Sequence, residues 1–319
     1  MAELKNKFSL SDSQLNTFSQ CPRKWWFSRY GSWGGWEKNA DPRTREVYRL
    51  KNLSGIYLWT GNRVHEALKK TITTWVETGV CPNEKIVVQE FLETLRREYR
   101  GSKNHPAGES FPKGFVKLIE HDDPDRAISD EKFKEVVDRA VAAIRGFYKT
   151  LVYQKLSAMS PEERRESVIR KDDVLEILEI EIDGRKIPVY VTLDLAIKTK
   201  TGSLFIVDWK TGKPSQKHED QLGLYVLFSS RKLGFSPEET AFAPIYLAYE
   251  PESRGYFVAT NSLVEDAERR LVVEGRKILS RVKDPENGVA EEENFEPIPK
   301  KGLFGCGGCE FRRVCPAAK

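Results

Sequence analysis

The 319-residue chain has no run of about 18 uncharged apolar residues, which excludes an apolar membrane-crossing helix. Its opening residues, Met1-Ala2-Glu3-Leu4-Lys5, lack the apolar core of a secretory signal. Both absences predict a cytoplasmic protein with no membrane partner. Cysteine is scarce, and five thiols in such a compartment do not make a disulfide framework. The odd count leaves one outside any paired or four-ligand scheme, and Cys81 is that one. An excess of charge of one sign is also missing. With a formal net charge of +4, a polyanionic partner must be met by a local basic groove and not by bulk charge. What is present is apolar substance: 39% hydrophobic residues, enough for one large core or two modest ones.

The pattern along the chain predicts an α/β protein. Ser11-Asp12-Ser13-Gln14 is a helix-capping signature, and Leu15, Phe18, Trp25 and Trp26 follow at helical spacing. Gly31 to Trp36 breaks that helix and opens a charged loop. Helix restarts at Gly61, with His65 in its first turn, and helical periodicity then dominates, as in Val88 to Tyr99 and Phe133 to Leu156, with a loop from Gly101 to Pro124. From Val174 the period changes. Val174 to Ile182 and Ile187 to Lys198 read as a hairpin about Asp183-Gly184, and Leu204 to Trp209 reads as the next strand. A helix over Asp220 to Leu233, strands at Ala241 to Tyr249 and Tyr256 to Thr260, and a helix from Leu263 to about Val282 complete a β-β-β-α-β-β-α order. We divide the chain into an N-terminal helical segment (1–60), a helical region (61–172), a core sheet (173–262) and a C-terminal helix with a cysteine-rich end (263–319).

Two carboxylates stand out. Asp194 interrupts the apolar run Val191 to Ala196, and fourteen residues later Asp208 interrupts Phe205 to Trp209. A carboxylate inside an apolar strand is costly unless it meets a cation. Antiparallel neighbours joined by a tight turn can bring both onto one face, and two like charges there require a cation. Strand alternation returns Lys210 to the face of Asp208. Paired carboxylates beside a lysine are the equipment for metal-assisted hydrolysis of a phosphodiester. The bland alternative is a solvated strand end carrying a surface Asp-x-Lys pair.

Cys306-Gly307-Gly308-Cys309, then Cys315, forms a second cluster, with Cys21 far upstream. Four thiolates can hold zinc or a [4Fe-4S] cluster. Lys300 to Lys319 is too short and too rich in glycine to fold on apolar burial, so it needs a staple.

Together these residues resemble the RecB-like branch of the PD-(D/E)xK nuclease superfamily, which includes the AddB subunit and the CRISPR-associated adaptation exonucleases. The likeness rests on Gly61-x3-His65, Asp194, the triplet Asp208-Trp209-Lys210 and Gln221-x3-Tyr225, together with the four cysteines. It implies a restriction-endonuclease-like mixed sheet flanked by helices, with a helical insertion and a cysteine-stapled terminal subdomain. It implies Asp194, Asp208, Lys210, Gln221 and Tyr225 as catalytic residues. Mg²⁺ or Mn²⁺ would be held by His65, Asp194, Asp208 and the backbone carbonyl of Trp209. A [4Fe-4S] cluster, favoured over zinc, would sit on Cys21, Cys306, Cys309 and Cys315. The expected activity is that of a metal-dependent deoxyribonuclease, an exonuclease on single-stranded or end-containing DNA. Partner proteins of DNA repair or CRISPR adaptation are implied as well. An idle DNA-binding or scaffold subunit is the alternative, and a redox-active iron-sulfur protein ranks last. Arg23, Lys24, Arg63, Lys69, Lys70, Lys213, Lys217, Arg312 and Arg313 are candidates to track a phosphate backbone, and Trp33 and Trp36 to stack a base.

Overall fold

The computed structural model describes residues 5–169, 177–214, 219–251, 253, 255–299 and 305–318. Ser11 caps the first helix as its sequence predicts, accepting from the Gln14 amide at 3.3 Å. That helix, α1 (Asp12–Gln20), is followed by α2 (Pro22–Trp26), a π-helical turn, and α3 (Pro42–Lys51). The last lies where a loop is expected. Asp41 caps it and Pro42 fills its first position, so local chemistry starts the helix despite weak apolar periodicity. A short strand β1 (Leu53–Ser54) leads into α4 (Ile56–Thr78), which begins a turn and more before Gly61 and ends at Gly79, whose φ of 77° favours a residue without Cβ. His65 is therefore in the middle of the helix and not in its first turn.

The helical layer continues with α5 (Glu84–Asn104), β2 (Lys117–Leu118), which pairs with β1, α6 (Ile119–Asp122), α7 (Asp130–Phe147), α8 (Leu151–Ser157) and α9 (Pro161–Ser167). The expected single helix from Phe133 to Leu156 is two, because the Thr150 side chain accepts from the Tyr153 amide and starts a new one.

The central sheet is mixed and has the order β3-β6-β7-β8-β9. Its strands are β3 (Val168–Ile169), β6 (Leu195–Lys198), β7 (Leu204–Lys210), β8 (Thr240–Tyr246) and β9 (Phe257–Val258). Strands β7 and β8 run parallel, with α10 (Glu219–Phe228) between them in sequence, and the other pairings are antiparallel. The hairpin predicted about Asp183-Gly184 exists as β4 (Leu178–Ile182) and β5 (Arg185–Val189), with positive φ at both turn residues (52° and 76°). It stands outside the main sheet, however. The expected strand Ile187 to Lys198 breaks after Val189 and resumes at Leu195, and its break holds Asp194. The expected order gains one strand. Val174 to Glu176, the expected start of the hairpin, lie outside the described residues.

Two apolar clusters cover the faces of the sheet. One packs β4, β5, α10 and α11 (Asn261–Leu279) against Leu204 and Ile206; the other packs α4, α5, α7 and α8 against Val207 and Trp209. The alternation within β7 is the pleat at work: even-numbered side chains meet α10, odd-numbered ones meet the helical layer. A mixed α/β fold with a sheet flanked by helices is thus as expected. Among the described residues no helix is long and apolar enough to cross a membrane.

The two layers meet closely at Gly146 on α7, where an added Cβ would lie 1.9 Å from the carbonyl oxygen of Leu247. Backbone cannot rotate aside, so Gly146→Ala should destabilise the protein by about 3 kcal/mol in urea unfolding. An open helical site would instead gain about 1 kcal/mol from the same change. A neutral or stabilising result would contradict the close approach.

Candidate active site

The register of the sheet builds the site. Leu195 pairs with Val207, so Asp194, one residue before the ladder, falls opposite Asp208. Both lie on the face that carries Leu204 and Ile206, towards α10. Asp208 is 3% exposed, and burial is the main reason its carboxyl is pushed above the usual carboxylate range; Lys210 opposes the shift and Asp194 adds to it. The Lys210 ammonium is 2.5 Å from Asp208 Oδ2. That ammonium is the charge that faces the buried Oδ2.

Helix α10 closes the site with two side chains one turn apart. Lys210 Nζ donates to Gln221 Oε1 at 2.8 Å, Gln221 Nε2 donates to Tyr225 Oη at 2.7 Å, and Tyr225 Oη donates to Asp208 Oδ1 at 3.3 Å. The resulting ring of contacts, Asp208, Lys210, Gln221 and Tyr225, fixes each rotamer by its neighbours. Burial holds the Tyr225 hydroxyl far above its ordinary pKa, with Asp208 adding to the effect, so it stays a donor.

His65 enters from the other layer. Gly61, one turn before it, lies so near the end of β7 that an added Cβ would meet Thr211 Oγ1 at 3.2 Å. This close passage lets α4 reach past the strand end, where His65 Nδ1 contacts Asp194 Oδ1 at 3.0 Å. The second oxygen of Asp194 accepts from the Trp209 backbone amide at 2.9 Å. Burial works against charge on His65, but the Asp194 hydrogen bond and charge outweigh it and raise the imidazole's pKa. The Trp209 side chain faces away and packs edge-on against Phe147 at 5.8 Å. Thr192, Thr211 and Lys213 complete the lining of an open cleft of ≈ 540 Å³. None of these three was singled out as a catalytic candidate. Only the fold places Thr192 and Thr211, while Lys213, expected to track a phosphate backbone, lines the cleft.

Among the described residues, no group of three or more His, Cys, Asp or Glu side chains is drawn together tightly enough to hold an ion. His65 and Lys210 instead occupy the carboxylates. The donor chemistry nonetheless fits a hard divalent cation: two facing carboxylates, one with a buried oxygen whose near neighbour is the Lys210 ammonium.

All five cysteines are free thiols. Cys309 and Cys315 pack on the apolar cluster of Phe27, Val47, Leu50 and Phe311, while Cys21 precedes α2. Burial pushes the Cys309 thiol up to about 12, with Glu310 and Cys21 contributing. Burial raises Cys315 too, and Cys21 and Cys306 act on it. Among the described residues these thiols are not drawn together closely enough to hold an ion, although thiolates are the donor type for a soft cation or an iron-sulfur cluster. Cys81 lies apart; burial pushes its thiol up to about 11, and its sulfur sits 3.6 Å from the Pro82 carbonyl.

Most of the cations expected to track phosphate are already engaged. Arg23 pairs with Glu292, Lys24 with Glu310, Arg63 with Glu66 and Glu98, Lys70 with Glu90, and Arg312 with Asp123 and Asp125. Arg313 lies near Asp122 and Asp123. Arg312 with Arg313 ties the cysteine segment to the helical layer, whereas the Lys70–Glu90 pair lies in solvent. Lys213 reaches the cleft, and Lys217 lies outside the described residues. His121, expected in a polar loop, is on α6, where its Nδ1 contacts Ser102 Oγ at 2.9 Å.

The family model of the PD-(D/E)XK nuclease superfamily matches residues 9–316. A search of curated proteins finds no match. Among solved structures, one described as "Crystal structure of SSO0001" is 16% identical, with 60% of this chain and 79% of that chain covered and a TM-score of 0.31.

Proposed function

The chain belongs to the PD-(D/E)XK nuclease superfamily, and from that membership we propose a metal-dependent deoxyribonuclease of the RecB-like branch, an exonuclease on single-stranded or end-containing DNA. The observation that carries this reading is the cleft itself. Two facing carboxylates, a lysine beside one and a histidine on the other share a single opening. Mg²⁺ or Mn²⁺ held by Asp194 and Asp208, with His65 and the Trp209 carbonyl as further donors, would supply Lewis acidity and an activated water at the scissile phosphate.

The chain's own residues do the positioning. Lys210, held by Gln221, keeps its ammonium at the cleft, where it offsets charge developing on phosphate oxygens. Tyr225 holds one oxygen of Asp208, and the Trp209 amide holds one oxygen of Asp194, so both carboxylates are oriented in advance. Cys21, Cys306, Cys309 and Cys315 would carry a [4Fe-4S] cluster whose work is structural, tying the two ends of the chain together.

Exonuclease action is tested with linear and circular single strands of one sequence. Mg²⁺-dependent loss of the linear strand while the circle persists is the expected result. Degradation of both at similar rates would replace the exonuclease with an endonuclease.

A further inference from the structure

Helix α4 offers more to the cleft than His65. At 3.6 residues per turn, Leu58 lies about 20° around the helix from His65, Lys69 about 40° and Asn62 about 60°, with Tyr57 about 80° away on the other flank. The stripe is open: Tyr57 is 53% and Leu58 61% exposed. It ends at Ile72, the next position on the same line, which is buried. Two neighbouring large apolar side chains thus stand in solvent about 10 Å along the helix from the imidazole. The stripe is continuous with the cleft, because Gly61 lets α4 lie directly against Thr211 at its lip. Cations flank it as well. Lys132, paired with Glu135 at 2.8 Å, holds its Nζ 5.9 Å from the centre of the Tyr57 ring, and Lys69 follows His65 by one turn.

Resting on the nuclease reading of the cleft, we propose that this stripe is the track of a single DNA strand, whose unpaired bases stack on Tyr57 and Leu58 before its backbone reaches His65. The choice of a single strand follows from the chemistry of the surface. Duplex DNA covers its base faces by stacking and presents phosphates, so a duplex track needs cations where α4 presents a phenol ring and an isobutyl group. Unpaired bases have free faces, and an exposed ring with an aliphatic neighbour gives them a platform that accepts any sequence. The separation from His65 corresponds to about three nucleotides at the stacked rise of about 3.4 Å.

The test is binding of a fluorescent oligothymidylate and of a duplex of equal length, with Mg²⁺ present and Asp208→Asn in place to prevent turnover. Adding Tyr57→Ala and Leu58→Ser should weaken the single strand by about tenfold and the duplex by less than about twofold. Tyr57→Phe, which keeps the ring, should restore most of the loss due to that position. Both side chains are exposed, so the variants should fold. Unchanged single-strand affinity, or equal weakening of strand and duplex, would overturn the track. Failure of the nuclease reading would appear elsewhere, as absence of cleavage by the wild-type chain, and the binding result stands independently of it.

Discussion

Asp208→Asn is expected to lower the rate of DNA cleavage by about a thousandfold while the protein remains folded. The substitution keeps shape and keeps an acceptor for the Tyr225 hydroxyl, which lies 3.3 Å from Oδ1. It removes the charge that a divalent cation needs and puts an amide nitrogen where the oxygen facing the Lys210 ammonium stood. The carboxylate is also a liability to the fold. Burial raises its pKa, Asp194 adds to that, and Lys210 recovers only part. Losing the buried charge offsets part of the lost Lys210 contact, whose ammonium must turn from the new amide nitrogen and keeps Gln221 as its acceptor. Single-turnover cleavage and thermal unfolding, measured on the same preparation, check both halves. Activity within about tenfold of wild type would remove Asp208 from the chemistry, and a collapse of the melting temperature would make its role structural.

Cys309→Ser is expected to have the largest effect on stability. The segment 305–318 contains only short 3₁₀ turns at Cys306–Gly308 and Pro316–Ala318. Phe311 anchors it in the apolar cluster with Phe27, and Arg312 and Arg313 pair with Asp122, Asp123 and Asp125. Such contacts dock a segment but do not fold it, whereas four thiolates on the proposed cluster would close a loop of 285 residues. Anaerobically purified wild type should contain about four iron atoms per chain. The serine variant should lose them and melt about 10 °C lower. Equal melting temperatures would leave the cysteines as packing residues, and zinc in place of iron would keep the staple while changing its metal.

The parts of the site that were legible in the sequence are those written in local periods. Asp208 and Lys210 share a face because strands alternate, and Gln221 and Tyr225 share one because helices turn every 3.6 residues. The alignment of Asp194 with Asp208 could be read from a tight turn between two strands, even though the first strand breaks at Asp194 itself. What could not be read was long-range. Nothing around Gly61 announces that α4 must pass the end of β7, and its missing Cβ acquires a reason only beside Thr211. The same limit hid the fate of the surface cations. Arg312 and Arg313 are separated from their acidic partners by nearly two hundred residues, so their pairing was invisible and they resembled free phosphate contacts. Helix α3 was missed for a different reason: its start depends on Asp41 and Pro42 more than on an apolar stripe.

Hydrolysis of DNA by the cleft of Asp194, Asp208 and Lys210 with a divalent cation is tested most directly by one comparison. End-labelled single strands are incubated with anaerobically purified protein in Mg²⁺, in Mn²⁺ and in EDTA, beside Asp208→Asn. Labelled products from the wild type with either metal, none in EDTA and about a thousandfold slower formation from the variant, are the predicted result. Products that form equally in EDTA or with Asp208→Asn would contradict it.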